Sequence, residues 1–390
     1  QNIVKMGSFS EEKVCMCALN RIFGYAPRIA SALLDCFGSA APVFRMGKDE
    51  LMEVLGPGSK YAAEICARSL DMAAAELEEA ERMGVEFRGR GEAGYPALLA
   101  ECEDAPAGLY VRSDAPSACL AAERDCIAIV GTRDITPYGK EWCTRIVDAL
   151  AGTGKNPVIV SGLAYGTDIT AHRTALEDGL DTIAVMATGA DTVYPPAHRG
   201  DALKIAGKAG SALITDYPLH TKAIAINFIR RNRIIAGMCR ATILIESRSK
   251  GGGMITASQA FSYNRDVFAL PGRADDPFSA GCNSLIRSGC AAPVTSERNL
   301  VESLGYIFKK ESGKHAVPSE YYSGVMDKDS VGMMSRILLL IRKNRRMSLD
   351  ELAEATALPC GTVAELCGIL ETDGFISIDL MQRCTINRKK

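Results

Sequence analysis

A chain of 390 residues that is 47% hydrophobic carries enough apolar material for two or three buried cores, which excludes a disordered polymer. Its 45 Lys and Arg against 47 Asp and Glu leave a formal charge of −2, so there is no molecule-wide basic footprint, and any site for a polyanion has to be local. No apolar run approaches membrane-spanning length, and residues 1–30 lack the basic, apolar and small-residue order of a signal peptide. A soluble, cytoplasmic protein with no membrane partner is expected.

Residues Glu11 to Met83 read as short helices broken at Gly24-Tyr25-Ala26-Pro27, Phe37-Gly38-Ser39 and Leu55-Gly56-Pro57-Gly58-Ser59, predicting a helical domain over 1–83. Gly84 to Glu123 is rich in Gly, Pro and Asp breakers and is expected to be an irregular lead-in to a core spanning 84–308. From Cys126 short apolar runs alternate with helical stretches. Strands are predicted at Cys126–Gly131, Pro157–Gly162, Asp181–Gly189, Ala212–Tyr217, Ala241–Ser247 and Asp266–Pro271, mostly β-branched or apolar as in parallel strands covered on both faces. Thr136-Pro137 is an N-cap followed by proline at the first helical position. The alternation predicts an α/β fold, a doubly wound, Rossmann-like parallel sheet. A polar stretch, Lys309 to Lys328, predicts a linker over 309–330. Ile337–Ile341, Leu349–Ala355 and Val363–Leu370 then read as three helices before a hairpin starting at Gly374, a winged helix over 331–390.

The fourteen cysteines run from Cys15 to Cys384 without a Cys-x-x-Cys pair, in a chain too large to need stapling. Together with four histidines at no ligand spacing (His172, His198, His220 and His315), they predict reduced, mostly buried thiols and no metal.

In an open parallel sheet ligands bind beyond the carboxyl ends of the strands. There the loops carry Gly131-Thr132-Arg133, then Ser161-Gly162-Leu163-Ala164-Tyr165-Gly166-Thr167-Asp168, then Lys250-Gly251-Gly252-Gly253. Glycine lets backbone amides approach an anion, and helix N-termini favour negative charge, so this edge suits phosphate. For any one loop a tight turn is the better explanation; three loops converging on one edge reverse that preference. The Gly-x-Gly-x-x-Gly fingerprint is missing from the first turn, so no nicotinamide or flavin cofactor is expected.

Asn227-Phe228-Ile229-Arg230-Arg231-Asn232-Arg233 opens a helix ending near Arg240. Arginines in the first turns oppose the macrodipole, and an external phosphate would relieve this. Internal pairing with an acidic group such as Asp216 is the alternative. Asp168 and His172, four apart, could face each other as an acid–base pair; a capping Asp and a packed His explain them equally well, and the lack of an evident third partner favours that structural reading.

In order and spacing, several segments resemble the DprA (DNA-processing A, or Smf) family. They include Tyr95-Pro96, Ile129-Val130-Gly131-Thr132-Arg133, Ser161-Gly162-Leu163-Ala164 with Gly166 and Asp168, Thr188-Gly189, Tyr194-Pro195, Arg231-Asn232-Arg233-Ile234-Ile235-Ala236-Gly237, Pro271-Gly272 and Gly281-Cys282-Asn283. The resemblance implies a non-enzymatic protein with a dimerising, extended Rossmann-like core. It implies binding of single-stranded DNA without base specificity and loading of RecA in natural transformation (competence) and recombination. It places Gly131, Thr132 and Arg133 on a phosphate, with Gly162, Gly166, Arg231, Arg233 and Lys250 lining the pocket. Ser161, Tyr165, Arg230, Asn232, Gly251 and Gly252 complete the expected DNA-binding set. Tyr165 stands where the family often has a basic residue, and base stacking on its ring would offset the lost charge. The Leu55-Gly56-Pro57-Gly58 turn resembles that of a helix-hairpin-helix or sterile-alpha-motif-like domain, with a plain helical turn the equal alternative. The winged helix's recognition segment, Gly361 to Glu371, has Glu365 and Glu371 and no Lys or Arg, favouring a protein-contact or regulatory role over groove binding.

The rival function is a nucleotide-binding or nucleoside-monophosphate-hydrolysing Rossmann-like enzyme. That chemistry resembles one needing a carboxylate after the third glycine loop, where Met254-Ile255-Thr256-Ala257-Ser258-Gln259 offers none.

Overall fold

The computed structural model describes residues 9–67, 70–116, 124–308, 321–322, 326–344, 347–379 and 381–386. Residues Gln1–Phe308 and Lys309–Lys390 form two compact units.

The first unit begins with α1 (Glu11–Phe23), α2 (Pro27–Phe37), α3 (Ala41–Arg45), α4 (Lys48–Leu55), α5 (Lys60–Ala67) and α6 (Asp71–Arg82). The turn between α4 and α5 holds Gly56 at φ +93° and Gly58 at φ +77°, in the left-handed region that a Cβ disfavours. Val14, Leu19, Phe23, Leu33, Val43, Leu51 and Leu77 from these helices pack in one buried cluster with Phe87, Tyr110, Leu163, Met186 and Leu213 of the sheet region. The helical segment therefore shares a core with the sheet.

The sheet has nine strands. They are β1 (Val85–Gly89), β2 (Gly108–Arg112), β3 (Cys126–Val130), β4 (Val158–Ser161), β5 (Thr182–Val185), β6 (Ala212–Thr215), β7 (Ala241–Leu244), β8 (Asp266–Ala269) and β9 (Ala292–Pro293), with the short α7 (Ala97–Ala100) between β1 and β2. Their order is β1-β2-β6-β5-β4-β3-β7-β8-β9. Strands β3 to β9 pair in parallel, while β1 and β2 join antiparallel at one edge. The six expected strands are all present. Strands β1 and β2 correct the expectation of an irregular lead-in: Gly108 reads as a breaker, yet a Cβ there would overlap the Phe87 ring, so its glycine serves cross-strand packing.

Pleat alternation sends Ile127 and Ile129 of β3 to one face and Ala128 and Val130 to the other. The first face is covered by α8 (Pro137–Ala151) and α9 (Thr167–Glu177), through Cys143, Ile146, Leu150, Ala171 and Ala175. Helices α11 (Ala225–Met238) and α12 (Gly252–Ser262) cover the second through Ile234, Ile235, Ala257 and Ala260. Between them in the chain lies α10 (Arg199–Ala206); α13 (Ala280–Arg287) and α14 (Glu297–Ser303) follow β8 and β9. Thr136 caps α8 as expected, accepting from the Gly139 amide at 3.2 Å. Chain direction across the sheet reverses between β3 and β7, the switch point of a doubly wound fold.

The second unit is a winged helix. Helices α15 (Lys328–Asn344), α16 (Leu349–Thr356) and α17 (Cys360–Thr372) pack with a three-stranded sheet of β10 (Met347–Ser348), β11 (Ile376–Ile378) and β12 (Arg383–Ile386) around Met334, Ile337, Ile341, Leu352, Leu366 and Leu370. Ser348 and Glu351 form a capping box on α16. The expected linker residues 309–320 lie outside the described residues. The described cysteines are free thiols, most of them buried. Among the described residues no helix is long and apolar enough to cross a membrane, and no cluster of His, Cys, Asp and Glu has metal-holding geometry.

Candidate nucleic-acid interface

At the switch point the loops after β3, β4 and β7 touch one another. The Thr167 amide and hydroxyl both donate to the Thr132 carbonyl, at 3.1 and 3.2 Å. A Cβ on Gly166, whose φ is +73°, would overlap the carbonyls of Thr132 and Arg133. Across the switch point a Cβ on Gly253 would lie 3.2 Å from the Gly131 Cα, and Asn232 Nδ2 donates to the Gly252 carbonyl at 3.5 Å. Glycine is thus required here for loop-to-loop contact.

Of the residues expected to bind, Gly131, Thr132, Arg133, Tyr165, Gly166, Arg230, Asn232, Lys250, Gly251 and Gly252 reach the surface wholly or in part. Four do not, and for these the expectation is corrected. The Ser161 hydroxyl is buried and donates to the Ile129 carbonyl at 2.6 Å. Gly162 is buried beneath the loop, its amide donating to Asp168 Oδ2 at 3.1 Å. Arg231 is only 3% exposed; its guanidinium donates to the carbonyls of Gly162, at 2.7 Å, and Val185. Arg233, 5% exposed, pairs with buried Asp216 and donates to the Asp104 carbonyl. The alternative of internal pairing is the one realised for Arg233. Two inward-facing arginines are satisfied by carbonyls and a carboxylate, so the macrodipole conflict needs no external anion at those positions.

Burial raises the Asp216 pKa against the opposing pull of Arg233, and it lowers that of Arg231 to about 10 against the stabilising field of Asp168. Asp168 itself is buried, which raises its pKa, while Arg231 and the loop amides hold the charged form. Its Oδ2 also accepts from the Ala164 amide at 3.3 Å. The second loop is therefore folded around an internal carboxylate, itself braced from below by Arg231. His172 forms no pair with Asp168. Its Nδ1–H meets the Thr182 hydroxyl at 2.7 Å, and burial pushes its pKa down to about 3, leaving a neutral packed ring.

Residues that the sequence pattern did not single out complete the outer surface. The Arg133 guanidinium lies 5.1 Å from the Phe228 ring centre. Phe228 meets Tyr194 edge-on at 5.5 Å, and the Tyr194 ring is 45% exposed. Tyr165, 49% exposed, stands edge-on to His198 at 4.8 Å, and buried His198 is fixed by donation to the Leu163 carbonyl at 2.8 Å. Beneath, Glu246 accepts from the Thr136 amide at 2.9 Å and hydroxyl at 2.5 Å, locking the start of α8 to the loop after β7. The available signal for this surface was Phe228 within the arginine-rich run Asn227–Arg233 near the start of α11. The result is a set of exposed ring faces interleaved with Arg133 and glycine backbone, the composition that holds single strands by stacking and charge.

The chain is a Rossmann-like α/β protein flanked by a helical segment and a winged helix. Residues 86–305 match the model of the DNA recombination-mediator protein A family. The chain is 31% identical to protein Smf of Synechocystis over 391 aligned residues, covering 94% of this chain and 97% of that one. It is 35% identical to DNA processing protein DprA of Streptococcus pneumoniae over 209 residues, 53% of this chain and 70% of that one. The solved structure of that pneumococcal protein aligns with a TM-score of 0.53 at 30% identity, covering 67% of this chain and 92% of the other. DNA processing protein A of Helicobacter pylori, a structure concerned with its single-stranded DNA binding mode, aligns with a TM-score of 0.50 at 28% identity, covering 57% and 97%. The chain belongs to the DNA recombination-mediator protein A family, which assigns it a role in DNA processing and recombination.

Proposed function

We propose that this protein binds single-stranded DNA, with little base preference, at the carboxyl edge of its central sheet, and passes it to a RecA recombinase as a cytoplasmic homodimer. In this reading residues 84–308 are the DNA-binding core, flanked by the module 1–83 and, through the linker 309–330, by the module 331–390. The observation that carries it is the surface made by Thr132, Arg133, Tyr165, Gly166, Gly251 and Gly252 with the rings of Phe228 and Tyr194. Arg133 and Lys250 are solvent-facing cations with no acidic partner within ion-pair distance among the described residues. Cations neutralise phosphates and rings stack on any base, which gives affinity without sequence readout. The relative from Helicobacter pylori binds single-stranded DNA and supports the same ligand here. RecA loading and dimerisation follow from the family resemblance.

The test is fluorescence anisotropy with homopolymer strands at roughly 50 and 200 mM salt. Binding should weaken steeply with salt, differ little among homopolymers, and fall with Arg133→Ala. Strong preference for one sequence, or affinity indifferent to Arg133, would overturn the proposal.

A further inference from the structure

Helix α11 carries a second cation–aromatic pair on its other flank. The Arg230 guanidinium lies 4.6 Å from the ring centre of Tyr25, a residue of the turn between α1 and α2, and also reaches the Gly24 carbonyl at 3.5 Å. Tyr25 is 55% exposed, yet its ring is held. Its hydroxyl donates to Asn227 Oδ1 at 3.1 Å, and buried Tyr217 stands behind it at 6.5 Å. Asn227 is itself fixed by donation to the Ala187 carbonyl at 3.3 Å. The ring is thus held in one place while more than half of the residue stays open to solvent.

Between the two flanks the solvent side of α11 is apolar: Ile226 and Ile229 are each 45% exposed, and Ile224 before them 48%. An exposed apolar patch rimmed by cations marks an interaction surface. On one side it continues into Arg133 and Phe228, on the other into Arg230 and Tyr25. Residues 228 and 230 project to opposite sides of the helix, so the pairs stand about one helix diameter apart, roughly 10–12 Å. At about 3.4 Å per stacked nucleotide this is a span of roughly three nucleotides.

We propose that Tyr25 and Arg230 form a second stacking and phosphate subsite for the same single strand, across α11 from Arg133 and Phe228. The inference rests on the single-strand reading above. It makes the turn between α1 and α2 part of the binding surface, with the strand crossing the Ile226 and Ile229 ridge to reach it.

The subsite lengthens the footprint, so its loss should be felt by long strands alone. With oligothymidylates of about two nucleotides, too short to bridge the subsites, and of about twenty, Tyr25→Ala should weaken binding of the long strand about fivefold or more while leaving the short one within about twofold. Tyr25→Phe, which keeps the ring and drops the hydroxyl bond, should restore most of the long-strand affinity. Photocrosslinking of the full chain to iododeoxyuridine-substituted strands should place an adduct on Tyr25. Equal loss at both lengths, no loss at either, or crosslinks on Phe278 beside Arg248 in place of Tyr25 would each overturn the subsite. A change of oligomeric state in Tyr25→Ala would overturn it too, by marking the ridge as a contact between copies. Arg133→Ala in the same assay separates the two ideas: if it leaves both lengths unaffected, the underlying site fails, whatever Tyr25 does.

Discussion

Arg233 tests whether the arginines of α11 act on DNA or on the fold. Its guanidinium and the Asp216 carboxylate are both nearly inaccessible, and Asp216 Oδ1 has no hydrogen-bond partner, so Arg233 is the main compensation for that charge. Removing one member of such a pair costs about 3–5 kcal/mol, because the remaining charge stays buried and uncompensated. Arg233→Met should therefore lower unfolding free energy in urea by about that amount. Arg233→Met with Asp216→Asn should recover part of the loss, with a coupling of about 2 kcal/mol in a double-mutant cycle. Single-strand affinity, measured on the folded fraction at low temperature, should stay within about threefold of the parent, since the buried guanidinium is already occupied inside the fold. A stably folded Arg233→Met protein that has lost DNA binding tenfold or more would refute this reasoning and return Arg233 to the binding surface.

Arg133→Ala should weaken binding uniformly across sequences and reduce the slope of log affinity against log salt by about 1, measured by anisotropy over a salt series. Tyr165→Ala should cost about 1–3 kcal/mol of binding if the ring stacks on a base; Tyr165→Lys in the same titration should recover affinity only with a steeper salt dependence. Gly166→Ala should disrupt the site through the Thr132 and Arg133 carbonyls, with a lowered melting temperature as well as weakened binding. His172 supplies a pH signature. Its folded pKa of about 3 lies below the ordinary 6.5, so below pH 6.5 the unfolded chain takes up a proton that the folded one refuses. Its contribution is fully retained above 6.5 and lost as pH falls towards 3, about 1.4 kcal/mol by pH 5.5. His172→Gln should flatten the stability profile over that window in urea titrations at several pH values.

The parallel core was legible because its strands are covered on both faces, so Ile127–Val130 is continuously apolar and Ala241–Leu244 is interrupted by Thr242 alone. The antiparallel edge was not, because Gly108 is small for the sake of Phe87, a residue twenty-one positions away that no local pattern reveals. The glycine loops do meet one another at the carboxyl edge of the sheet. The inward or outward sense of individual side chains was hidden: Arg230, Arg231 and Arg233 are adjacent in sequence, yet Asp216 and the Val185 carbonyl draw the latter two inside. Whether an arginine meets an internal or an external anion depends on strands β5 and β6, which the helix sequence does not contain. Phe228 and Tyr194 were missed for the same reason, their ring contact joining segments thirty-four residues apart.

The carboxylate of Asp168 inside the second loop also bears on how fast a ligand can be taken up. Because its own side chain already satisfies the Gly162 and Ala164 amides, that loop holds its shape before any strand arrives, and Thr132 and Gly166 are locked against each other by the same arrangement. Little backbone freedom is left to lose, so under the proposed single-strand binding the entropic penalty of ordering would fall mainly on the DNA. Encounter should then be governed by diffusion and the local cationic field, with a rate that responds to salt and is insensitive to loop motion.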